Sequence, residues 1–149
     1  MHRYRIPERL VEQSRRFTEG IDTPAVPRDA ATVVLLRDGS SGPEAYLLRR
    51  QTSMDFAGGM CVFPGGGVDA RDDDPTISWA GPSAEAWAQR LGTDPATARA
   101  LVCAAVRETF EESGVLLAGP SADSVVSDTS TPDWEADRVA LETRDLSMT

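Results

Sequence analysis

The stretch that most constrains this chain is Arg107-Glu108-Thr109-Phe110-Glu111-Glu112-Ser113-Gly114-Val115, which crowds three carboxylates and an arginine into two helical turns. At roughly 100° per residue, Glu108, Glu111 and Glu112 fall within about 100° of arc and share one helix face. Val102, Cys103, Val106 and Phe110 fall on the opposite face, which gives the helix a core side. Asp94 suits the N-cap, Pro95 the first helical position and Gly114 a left-handed stop. Like charges at i,i+4 cost an isolated helix a few tenths of a kcal/mol. A hard divalent cation reverses that cost, because Mg²⁺ and Mn²⁺ prefer carboxylate oxygens. Three glutamates on a helix are otherwise a solvated acidic face. What lifts the stretch above that reading is the Arg-Glu start, the Glu-Glu pair and the glycine stop together.

The rest of the composition excludes more than it assigns. A chain of 149 residues with 40% hydrophobic content fits one folded domain with a modest core. A net charge of −9 argues against a nucleic-acid backbone or an anionic membrane as partner. A phosphorylated small molecule is still compatible, since a metal neutralises charge locally. No stretch is long and apolar enough to span a bilayer, and no signal-peptide core is present, so a cytoplasmic setting is expected. Cys61 and Cys103 stand in apolar surroundings and read as core thiols, without metal-ligand spacing. His2 is the only histidine, which argues against a Ser-His-Asp triad, a Cys-His pair or a histidine zinc site.

In chain order, Pro7–Glu19 predicts a short amphipathic helix packed on the body, with Leu10, Val11 and Phe17 at helical spacing. A proline-containing linker follows to residue 28. Ala31–Leu36 and Glu44–Leu48 predict an antiparallel hairpin with a longer loop over Asp38–Pro43. Arg49-Arg50 closes the second strand, either as a solvated basic end or as an anion clamp. Met60–Phe63 predicts a short buried strand that runs into Pro64-Gly65-Gly66-Gly67, where glycine permits close backbone approach to phosphate. Asp69–Pro75 reads as a solvated acidic turn with helix-cap roles. Ser83–Leu91 predicts a helix that carries Trp87 inward. Val115–Leu117 predicts a strand, residues 119–132 a loop, and Trp134–Leu146 a final helix.

Arg107-Glu108-Thr109-Phe110-Glu111-Glu112-Ser113-Gly114-Val115 resembles the second half of the Nudix box, G-x5-E-x7-R-E-U-x-E-E-x-G-U, with U apolar. Phe63-Pro64-Gly65-Gly66 supplies the glycine turn of its first half, with Gly66 on the opening glycine. Asp72 stands where the box has glutamate, residues 73–106 stand in place of seven positions, and Thr109 replaces an apolar residue. Such a split box resembles the branch related to CoA-diphosphate hydrolases, as do Tyr46–Arg50 and Gly59–Gly66. Asp55 departs from an arginine of that branch.

The resemblance, which runs roughly from Arg28 to Leu146, implies an α/β fold: a Nudix-type α/β/α sandwich with a mixed sheet. It implies residues 1–27 as helix and linker, 28–149 as the Nudix domain, and a helical insertion at about 73–93. Further C-terminal strands and a helix would be missing, completed by that absent segment or by a homodimer partner. It implies metal-binding Glu108, Glu111 and Glu112 with Mg²⁺ or Mn²⁺, and catalytic roles for Arg107, Glu111 and Glu112. Arg49, Arg50, Gly65 and Gly66 would hold the substrate. The implied activity is hydrolysis of a diphosphate linked to another moiety, CoA or a CoA ester among the candidates. The alternatives are a non-catalytic nucleotide- or protein-binding domain, or an inactive fragment of a longer hydrolase.

Overall fold

The protein is described by a computed structural model over residues 6–53 and 58–149. His2 and Asp55 lie outside the described residues. The first helix, α1 (Glu8–Thr18), has no buried residue and contacts none of the other elements, contrary to the expected packing on the body. Its polar groups are satisfied locally instead: Arg15 pairs with Glu12, and Arg16 pairs with Asp22 beyond the helix end.

Three short antiparallel ladders follow where a mixed sheet was expected: β1 (Ala30–Thr32) with β6 (Gly65–Gly67), β2 (Leu36–Gly39) with β3 (Gly42–Ala45), and β4 (Leu48–Arg49) with β5 (Cys61–Val62). The apolar run from Ala31 to Leu36 is not one strand, because it changes partner midway. The Val33 amide still donates to the Pro64 carbonyl at 2.9 Å, whereas the Leu35 carbonyl already accepts from Tyr46 N–H at 3.0 Å. The β2–β3 hairpin is tighter than expected, since pairing continues through Asp38↔Pro43 to Gly39↔Gly42. Nor is the strand at Met60–Phe63 buried: β5 covers only Cys61–Val62, and the Cys61 side chain is exposed.

A 3-10 turn at Ala70–Asp73 is closed by a reciprocal cap between Asp69 and Asp72. It leads to α2 (Ala84–Leu91), capped by Ser83 and ended by left-handed Gly92. The segment expected as an insertion therefore lays a helix along α3 (Pro95–Ser113). Trp87 is half-buried under the Arg90 guanidinium, and the side chain that α2 buries is Ala88. In α3, Asp94 accepts from the Ala96 and Thr97 amides, and Gly114 ends the helix in the left-handed region at φ 73°. Ala98, Ala100, Cys103 and Ala104 are buried along α3, and these small side chains let neighbouring elements approach closely.

Val115–Leu117 forms no ladder; its alternation survives only in the burial of Leu116 between exposed neighbours. Phe110, Leu116 and Leu141 make the apolar core with Trp134 of α4 (Pro132–Glu142), whose ring meets Phe110 edge-on at 5.9 Å. Cys103 is a buried free thiol, as expected. Among the described residues no helix is long and apolar enough to cross a membrane.

Candidate active site

The site is organised by Arg107, which emerges from the middle of α3 and is 4% exposed. Its Nε and Nη2 donate to the two oxygens of Asp72, each at 2.9 Å, and Nη2 also donates to the Gly67 carbonyl at 3.0 Å. Nη1 donates to Glu108 Oε1 at 2.9 Å and to Glu111 Oε2 at 3.1 Å. A guanidinium has five N–H donors, so this one is saturated. The bidentate contact with Asp72 leads the forces that hold Arg107 in its charged form, far above any working pH. Asp72 itself is 1% exposed and also accepts from the Asp69 amide at 2.7 Å.

This arrangement corrects one expectation. Asp72 is not part of a solvated turn but the buried counterion of Arg107. Arg107 in turn is enclosed with every donor engaged, and one of its amino groups holds both Glu108 and Glu111. Thr109, on a box position that is usually apolar, is fully buried and donates to the Ala105 carbonyl at 2.7 Å, which satisfies its hydroxyl.

The three glutamates share one face but have different neighbours. Glu108 and Glu111 lie side by side on Arg107. Burial raises the Glu111 carboxyl above the usual range; Arg107 opposes this only in part, and the neighbouring Glu108 charge adds to the rise. Glu111 Oε1 is buried without a hydrogen-bond partner. Glu112 is exposed and accepts from the Gly65 amide at 2.9 Å. The glycine turn is therefore committed to the carboxylates: the Gly65 N–H serves Glu112, and a Cβ on Gly66 would collide with the Glu108 carboxylate.

A cavity of about 310 Å³ opens beside this cluster, lined among others by Arg28, Gly67, Arg107, Glu108, Glu111 and Arg144. Neither Gly65 nor Gly66 lines it, and neither do Arg49 or Arg50. Arg49 points outward from β4, and the Arg50 backbone exchanges hydrogen bonds with Met60 and Gly59. Besides Arg71 and Arg107, the cations that line the cavity are Arg28, from the segment before β1, and Arg144, just past the end of α4. Sequence reading missed them because no local pattern ties residue 28 or 144 to residue 108.

Oxygen donors of this kind suit Mg²⁺ or Mn²⁺. The unpartnered oxygen of Glu111, next to Glu108, is what such a cation would satisfy. Among the described residues no three acidic, cysteine or histidine side chains converge on one point. Joint ligation by all three glutamates would need Glu112, whose Oε2 accepts from the Gly65 amide, to turn toward Glu108 and Glu111.

No family model matches the chain. Among solved structures, it is similar to the crystal structure of a NUDIX hydrolase from Alicyclobacillus acidocaldarius, with 33% sequence identity and a TM-score of 0.56. The match covers 80% of this chain and 53% of that one, so the chain spans about half the length of the structure it matches. The α/β fold class that the resemblance implied is thus the one observed.

Proposed function

We propose that this chain carries the catalytic helix of a Nudix-type hydrolase that cleaves a diphosphate linked to another moiety, with Mg²⁺ or Mn²⁺. The observation that carries the reading is the Arg107 cluster, which fixes two adjacent carboxylates and leaves one buried Glu111 oxygen without a partner. Its likeness to a NUDIX hydrolase structure supports the same class.

Glu108 and Glu111, with Glu112 released from Gly65, would hold the cation. When bound, it would neutralise diphosphate charge and lower the pKa of a coordinated water. Arg107 keeps the two inner carboxylates at fixed spacing, which removes reorganisation from the reaction. Glu111, whose carboxyl is raised by burial, would serve as the proton acceptor. The Glu112–Gly65 contact ties the helix to the glycine turn. CoA or a CoA ester is the substrate suggested by the split box. The setting proposed is cytoplasmic, consistent with two free thiols.

Release of phosphate products from CoA, ADP-ribose, NADH and diadenosine polyphosphates, with Mg²⁺ or Mn²⁺, tests the reading. Cleavage of one of these by the wild-type chain, lost in Glu111→Gln with the fold intact, is expected. Near-normal turnover by Glu111→Gln would defeat the assignment. Nucleotide binding without cleavage by the wild type would favour the non-catalytic alternative.

A further inference from the structure

The cavity beside Glu108 and Glu111 carries two cations that the acidic cluster does not consume. Arg107 is saturated. Arg71 also faces the cavity but is spent on structure: its Nη1 donates to the Leu141 carbonyl at 3.1 Å and to the Leu146 carbonyl at 2.7 Å, and its Nε to Asp69 at 3.3 Å. Those bonds clamp the end of α4 against the 3-10 turn. Arg138 adds a second tie, donating to the Glu111 carbonyl at 2.7 Å, so α4 is anchored to the acidic helix itself. The residue that this anchoring delivers to the cavity mouth is Arg144.

Arg144 has the only positive φ among the described non-glycine residues, 68°, a conformation uncommon for a side chain of this size. Its guanidinium makes one long contact, 3.4 Å to Asp69 Oδ2, and its side chain is 75% exposed. Asp69 takes both Arg71 contacts on Oδ1 and meets Arg144 only through Oδ2, at a distance and exposure where an ion pair contributes little. Across the cavity, the Arg28 side chain is exposed and forms no ion pair or hydrogen bond among the described residues. Arg28, without a partner among the described residues, and Arg144, held only by the long Asp69 contact, thus share one cavity lining with Asp29, Asp69, Glu108, Glu111 and Glu142, in a chain of net charge −9. A guanidinium matches the paired oxygens of a phosphoryl group.

We propose that Arg144 and Arg28 are the diphosphate-binding side of this cavity. They hold the phosphoryl group turned away from the glutamates, a role that sequence alone suggested for Arg49-Arg50. The inference rests on the proposed function in placing a diphosphate here, but its test does not depend on turnover.

Calorimetric titration with inorganic pyrophosphate in Mg²⁺ buffer is the test, on the wild type, Arg144→Gln, Arg144→Lys and Arg28→Gln. Arg37→Gln, on the exposed β2–β3 hairpin, is the control. Affinity is expected to fall about tenfold in Arg144→Gln and in Arg28→Gln, less in Arg144→Lys, and not in Arg37→Gln. For any substrate the chain cleaves, KM should rise by a similar factor with kcat within about twofold. Should Arg144→Gln fail to fold, Arg144→Lys and Arg28→Gln decide the matter. Unchanged affinity in the Arg28 and Arg144 variants, or no pyrophosphate binding by the wild type, would overturn the proposal. Tight binding lost in the variants, from a wild type that cleaves nothing, would leave this clamp standing while the hydrolase reading fell.

Discussion

Replacing Asp72 by asparagine tests whether the Arg107 cluster is the keystone described above. Asp72 supplies both oxygens of a bidentate contact to a guanidinium that is 4% exposed, and Asp72 is itself 1% exposed. Removing one partner of such a pair leaves a buried charge uncompensated and costs about 3–5 kcal/mol. Here Arg107 keeps Glu108, Glu111 and the Gly67 carbonyl, and asparagine can still accept the Asp69 amide. The lower end, about 3 kcal/mol, is therefore expected. Urea unfolding followed by tryptophan fluorescence reads it, and combining Asp72→Asn with Arg107→Met gives the coupling directly. A coupling of about 2 kcal/mol or more is expected for groups in direct contact. Coupling below about 0.5 kcal/mol would refute the cluster as an energetic unit. Turnover in Asp72→Asn should fall more than stability alone accounts for, because a loosened Arg107 no longer fixes Glu111.

Two further outcomes follow from the same geometry. Gly66→Ala places a Cβ against the Glu108 carboxylate, which can swing away; activity should drop at least tenfold while the unfolding midpoint changes little, and a fully active variant would contradict the packing. In chelator-treated protein, the raised Glu111 carboxyl means the folded state holds a proton that the unfolded chain has released. Its stabilising contribution is therefore present below the ordinary carboxylate pKa and lost as pH rises through the raised value. The stability profile of Glu111→Gln should lack that decline, and identical slopes in the two proteins would argue against burial as the dominant influence on Glu111.

The acidic helix was legible without a structure because everything that defines it is local. Asp94, Pro95 and Gly114 set its ends, and the 3.6-residue repeat alone puts Glu108, Glu111 and Glu112 on one side. The same locality made α2 and α4 readable. It failed for the strands, where a β-branched run gives propensity but not partner: Ala31–Leu36 serves two ladders because β6 and β3 arrive at different points along it. It also failed for α1, whose periodic apolar stripe could not reveal that no other element among the described residues packs on it.

The same division runs through the site. Sequence determined which residues carry the charge, and that three carboxylates and an arginine must lie together. Tertiary structure decided that Asp72 would neutralise Arg107, that the Gly65 amide would engage Glu112, and that Arg28 and Arg144 would face the cavity in place of Arg49 and Arg50. Helical spacing is enforced by backbone hydrogen bonds four residues apart. The pairing of a buried charge is decided by whichever opposite group the packed chain brings within about 3 Å, and no periodicity encodes that choice.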